Sequence, residues 1–140
     1  MINDMRNTEN NIRRLAICLG ILQLFIGIGA VPAGLAMIID PSGRSLTMPL
    51  EMLANSPFSD FLIPGIFLLL INGIGSLIGG IASFLRNKLS GEIAIGLGIF
   101  LLGWILAQTV WMGIHWLHIM YFILGAVELI LGLILRKKMP

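Results

Sequence analysis

The chain has almost no means of cross-linking itself. Its single cysteine, Cys18, excludes an internal disulfide, and without a CxxC pair there is no basis for dithiol redox chemistry. Charge is also scarce: Asp, Glu, Lys and Arg together make up 11% of the residues, against about 25% in an ordinary soluble domain. There is no phosphate-cradling glycine loop and no nucleophile motif, so neither nucleotide binding nor covalent catalysis is indicated. What remains is apolar. A hydrophobic fraction of 57% and a mean hydropathy of +0.97 exclude a soluble globular domain and indicate an integral membrane protein. The formal charge of +2 does not imply a nucleic-acid partner, because the basic residues stand at the ends of the apolar runs, where membrane topology accounts for them.

Four such runs are present, over residues 15–39, 61–85, 91–112 and 116–135. Each has roughly the 20 residues needed to cross about 30 Å of hydrocarbon. The first is too long for the roughly 7–15-residue core of a secretory signal, so it reads as a retained span behind a polar, mobile opening, residues 1–14. Arg136, Lys137 and Lys138 stop the last one. The expected fold is all-α: residues 1–140 form a single membrane domain, a four-helix bundle with a short extracytoplasmic cap, residues 40–60, between the first two spans.

Orientation follows from the basic residues. Arg6, Arg13 and Arg14 precede the first span, Arg86 and Lys88 lie between the second and third, and the three tail residues follow the fourth; only Arg44 is on the other side. The positive-inside tendency puts both termini in the cytoplasm and the cap outside a cell membrane.

Within the cap, Asp40-Pro41-Ser42-Gly43 is a turn signal. Leu50 to Ala54 can make one or two helical turns lying in the interface, apolar side down. Ser56 and Pro57 read as the cap and first position of the second helix, with Asp60 in its opening turns. Pro64 and Gly65 are expected to bend or loosen that helix near its start.

Glycines recur every seven residues in all four runs: Gly20, Gly27 and Gly34; Gly73 and Gly80; Gly96 and Gly103; Gly125 and Gly132. That spacing keeps small residues on one helix face and lets backbones approach closely, within the bundle or, through Gly75-Gly79-Ser83, between two copies. The stretch Gly20 to Gly27, with Gln23 inside it, echoes Gly125 to Gly132, with Glu128 inside it. Eight residues are too short an echo to establish a duplicated transporter repeat.

Polar residues inside the runs are the first site candidates. Glu128 and Gln23 each lie roughly 12 Å in from the cytoplasmic side at about 1.5 Å per residue. A carboxyl at that depth must face the bundle and either find a donor such as the Gln23 amide or take up a proton. With Asn72 near mid-membrane and Gln108 near the outer end of the third span, these four define a ligand-gripping or proton-linked set. The competing reading is polar glue between helices. A second set lies at the outer surface, where His115 and His118 are three apart, within possible reach of Asp40, Asp60 or Glu51 for a histidine and carboxylate metal or acid-base site. Trp104, Trp111, Trp116 and Tyr121 around them also match a plain interfacial belt. No metal or cofactor is assigned.

The segment DPSG with MP following, then SPFSDFLIPG opening the second span, then Trp104, Gln108 and the His115 to Tyr121 region, resembles a group of small, uncharacterised four-span bacterial integral membrane proteins. The resemblance implies topology and a bacterial cell membrane, and it implies no reaction. On these grounds the sequence favours a non-enzymatic structural or accessory component that binds a lipid or a partner, such as a membrane protein, through its cap. Next comes transport or binding of a small apolar or protonatable ligand through Glu128, and last an outer-surface enzyme using the histidines.

Overall fold

The computed structural model describes residues 1–139. Among them are four helices long and apolar enough to cross a membrane: Ile2–Ile39, Leu62–Phe84, Ser90–Met112 and Trp116–Lys138. The first packs along the second and the third along the fourth, and contacts between first and fourth and between second and third close the ring.

The first helix does not begin at Leu15 behind a mobile opening. It is continuous from Ile2, about 57 Å long at 1.5 Å per residue. A helix already nucleated in the bilayer extends at little cost. Ile12 and Leu15 also pack on the cluster of Ala16, Leu19, Ala94 and Leu135, which ties the emerging turns to the third and fourth helices.

Glycine seams set the two hairpins. A Cβ on Gly27 would lie 2.7 Å from Leu77 and one on Gly34 2.8 Å from the Leu69 backbone, so the first two helices meet nearly backbone to backbone. Gly98 and Gly132 do the same for the third and fourth, where a Cβ would lie 2.9 Å from the Leu129 nitrogen and from the Ala94 Cβ respectively. The expected seam glycines Gly96 and Gly103 are instead on an open face, with nothing within 4 Å of an added Cβ. The third helix uses Gly91 and Gly98, another pair seven apart, and the phase of a repeat is not fixed by its period. Gly75 and Gly79 are also used inside the chain, against Leu97, Ile93 and the Gln23 amide, which removes them as a surface between copies.

The cap is a roof of turns. Asp40 accepts from the Ser42 hydroxyl and from the backbone N–H groups of Ser42 and Ser45. Those bonds, the Ser42 hydroxyl foremost, hold its carboxyl below its ordinary pKa of 3.8. Gly43 has φ +77°, and a side chain there would run into the Met48 carbonyl and the Phe61 ring. The helical turn expected at Leu50 is present as a 3-10 turn, Leu50–Leu53, with Leu53 buried against Met37 and Phe61.

Ser56 and Pro57 do not start the second helix. The Ser56 hydroxyl donates to the Leu53 carbonyl at 2.8 Å and accepts from Phe58 N–H, while Phe61 N–H is bonded to the Pro41 carbonyl. Those ties hold residues 56–61 in the roof. Asp60, ahead of the helix rather than in its first turns, accepts from Leu62 N–H at 2.9 Å. Pro64 sits in the first turn, where no backbone donor is required, and Gly65 allows close approach to Met37. The helix loosens farther on, in a π-helical stretch, Leu68–Gly75.

Candidate functional site

The two membrane-buried residues at matched depth do meet. Gln23 Nε2 donates to Glu128 Oε1 at 3.2 Å, and Ser83 Oγ donates to Gln23 Oε1 at 2.7 Å. One buried amide therefore joins the first, second and fourth helices. Gly79 makes room for the amide, since a Cβ there would lie 2.8 Å from Gln23 Nε2, whereas the glycines of the echo motif, Gly20 and Gly27 about Gln23 and Gly125 and Gly132 about Glu128, meet other neighbours. Among the described residues, Glu128 Oε2 is buried without a partner. Gln23, Ser83 and Glu128 are fully buried, and the cluster has the geometry of an interhelical tie. Ser83 was legible in the sequence only as the end of a small-residue motif.

Asn72 is not part of it. Asn72 lies eleven residues before Ser83 on the same helix, about 16 Å away along the axis. It is 2% exposed and lines a different feature, a half-open cavity of about 600 Å³ between the upper halves of the helices and the roof. Gln108, His115 and His118 line that cavity too. Four residues the sequence divides between two candidate sites therefore share one.

Elements far apart in sequence build its wall. Gly29, with no side chain, and Ala30 and Ala33, with short ones, leave the volume open along the first helix, and Trp104 and Tyr121 supply aromatic surface. Met37, Met48, Met52 and Met112 line the upper part, contributed by the first helix, the roof and the end of the third helix. Methionine adapts its shape at low cost, a property suited to a wall that accommodates guests. Among the described residues the wall has no Lys, Arg, Asp or Glu. Beside it an aromatic ladder braces roof to bundle: Phe58 meets Trp111 edge-on at 5.5 Å, Trp111 meets Trp104, and Trp104 packs on Phe67 and Phe100.

The histidines are occupied in starting the fourth helix. His118 Nδ1 accepts from His115 N–H at 3.1 Å, and His115 Nδ1 accepts from Leu117 N–H at 3.4 Å, a reciprocal cap. Asp40 and Asp60 are spent on backbone donors in the roof. Among the described residues no three His, Cys, Asp or Glu side chains are grouped to hold a metal ion, so the histidine and carboxylate set does not assemble. In neutral rings whose Nδ1 atoms accept, the Nε2 atoms carry the protons. His118, which is buried, thus offers a donor at the cavity wall.

Fold and site together define a four-span helical membrane protein with a roofed, uncharged cavity. No protein-family model, curated protein or solved structure matches the chain.

Proposed function

We propose that this is a membrane-embedded binding protein that takes a small, largely apolar molecule into the cavity beneath the roof. The observation carrying the reading is the cavity itself. Its volume of about 600 Å³ falls within the roughly 300–1,000 Å³ of small-molecule sites. Its wall is apolar, with a few polar groups and no full charge. The inward set of the cap supports binding over an accessory role through the cap, because Leu46, Met48, Met52, Leu53 and Phe58 pack toward Met37 and Phe61 rather than outward to a partner.

The basic residues support a cell-membrane orientation with both ends in the cytoplasm and the roof outside, since all but Arg44 lie at or beyond the opposite end of the bundle. In intact cells, an impermeant thiol reagent is expected to label Ser45→Cys and to spare Lys88→Cys, both in a Cys18→Ala background. Binding is tested with Trp104 as the only tryptophan, after Trp111→Phe and Trp116→Phe. In lipid vesicles 1-bromodecane is expected to quench Trp104 saturably, and the saturable part is expected to disappear in Ala33→Phe, which fills the cavity. Quenching that grows in proportion to bromodecane in the lipid, identical in both proteins, would sink the proposal.

A second reading rests on the open face of the third helix. Gly96 and Gly103 there meet nothing among the described residues, and the seven-residue spacing suits close association with a partner helix or a second copy. Energy transfer between labelled copies in vesicles, weakened by Gly103→Ile, is its expected signature; transfer unchanged by that substitution would count against it.

A further inference from the structure

The cavity holds a clue to the chemistry of its occupant, on the reading that it is a binding site. Asn72 is 2% exposed, and among the described residues its Nδ2 has no hydrogen-bond partner. A buried amide donor left unsatisfied costs roughly as much as a lost hydrogen bond, and such groups in native proteins call for a reason. The Asn72 position is also irregular in backbone. It lies within the π-helical stretch Leu68–Gly75, and π segments inside α-helices recur at functional sites. Leu68, at the start of the same stretch, lines the cavity with it. His118, whose Nδ1 is engaged as an acceptor, adds an Nε2 donor to the same wall. Glu128 Oε2 is as poorly satisfied, but Glu128 is buried among the helices and does not line this cavity.

We propose that the occupant is an uncharged molecule with an apolar body bearing a carbonyl-type hydrogen-bond acceptor, and that the Asn72 amide, turning its covered Nδ2 toward the cavity, donates to that acceptor. The apolar wall with its four methionines takes the body. The lack of any Lys, Arg, Asp or Glu in the wall excludes an ionised head group, which would enter without a counter-charge. The donors, Asn72 Nδ2 and His118 Nε2, select an acceptor over a plain hydrocarbon.

The test is competition against the bromodecane quenching of Trp104 in vesicles, with concentrations expressed per lipid. Three competitors of equal chain length are compared: a straight alkane, its mid-chain ketone, and the fatty acid in ionised form at mildly alkaline pH. The ketone is expected to displace bromodecane roughly three- to tenfold more effectively than the alkane, the range of one net hydrogen bond. The ionised acid is expected to be weakest. In Asn72→Leu the alkane still competes and the ketone's advantage is lost; the comparison within the unaltered protein stands even if that variant folds poorly. Equal potency of ketone and alkane in the unaltered protein would overturn the assignment while leaving the cavity a binding site, with water serving Asn72. The ionised acid proving strongest would overturn the uncharged class. Saturable quenching that none of the three reduces would mean the cavity takes no such molecule, and the binding reading would fall with it.

Discussion

Replacing Gly132 by alanine adds one methyl group to a close part of the seam between the third and fourth helices. The new Cβ would lie 2.9 Å from the Ala94 Cβ, 3.0 Å from the Gly91 carbonyl oxygen and 3.0 Å from the Ile95 nitrogen. Carbon atoms in contact prefer about 3.5–4.0 Å, so the helices must part by roughly 0.5–1 Å at that level. Two of the three obstructing atoms are backbone and cannot rotate away. A gap of that size forfeits about a quarter to a half of the dispersion energy of each contact it opens, and inserting a methyl group into a packed interior costs about 1–3 kcal/mol. A middle value of about 2 kcal/mol corresponds to a roughly 30-fold shift in the unfolding equilibrium. Gly103→Ala is the matched control, because among the described residues nothing lies within 4 Å of its Cβ. It is expected to stay within about 0.5 kcal/mol of the unaltered protein. Reversible unfolding in mixed detergent micelles, followed by tryptophan fluorescence, reads both. Equal destabilisation by the two substitutions, or a larger cost for Gly103→Ala, would refute the assigned seam.

Two further predictions follow from the polar groups. Gln23→Leu removes the donor to Glu128 Oε1 and the acceptor for Ser83, and is expected to cost about 1–3 kcal/mol. Adding Glu128→Leu is expected to recover part of that loss, so the double variant lies at least about 0.5 kcal/mol above the sum of the singles; additivity would show that the side chains do not interact. The lowered pKa of Asp40 gives the roof a pH dependence of definite sign. A carboxylate whose folded value is depressed contributes stability above its ordinary value of 3.8, and the contribution is lost as pH falls through the lower folded value. Acidification through that window is expected to loosen the roof, read by Trp111 against Phe58 in a protein lacking Trp104 and Trp116. Asp40→Asn, which keeps an acceptor but cannot titrate, is expected to flatten the response, and an unchanged profile would remove Asp40 from the roof's acid sensitivity.

The four spans were legible because a bilayer imposes one crude requirement, an apolar run of sufficient length, and each run meets it. The meeting of Gln23 with Glu128 was legible as well, since depth along a helix follows from residue count. The phase of the glycine repeat was not. Gly91 and Gly98 satisfy the same seven-residue period as Gly96 and Gly103, and lipid on one side and a helix on the other both accept glycine. The start of the second helix was misplaced because Ser56-Pro57 is a good helix-opening pair whose hydroxyl finds nearer partners in the turn before it. The cavity was least legible of all. Its wall comes from all four helices and the roof, so no local pattern marks it, and Asn72 and His118 looked like members of separate sites until the fold set them on one wall.

The most direct measurement is a crystal structure grown from lipid in the presence of 1-bromodecane, with the bromine located by its anomalous scattering. Bromine beneath the roof, within the wall formed by Trp104, Met112 and Asn72, is the predicted result. Bromine found only along the lipid-facing helix surfaces, with the cavity holding none at saturating bromodecane, would contradict the assignment of this cavity as the binding site.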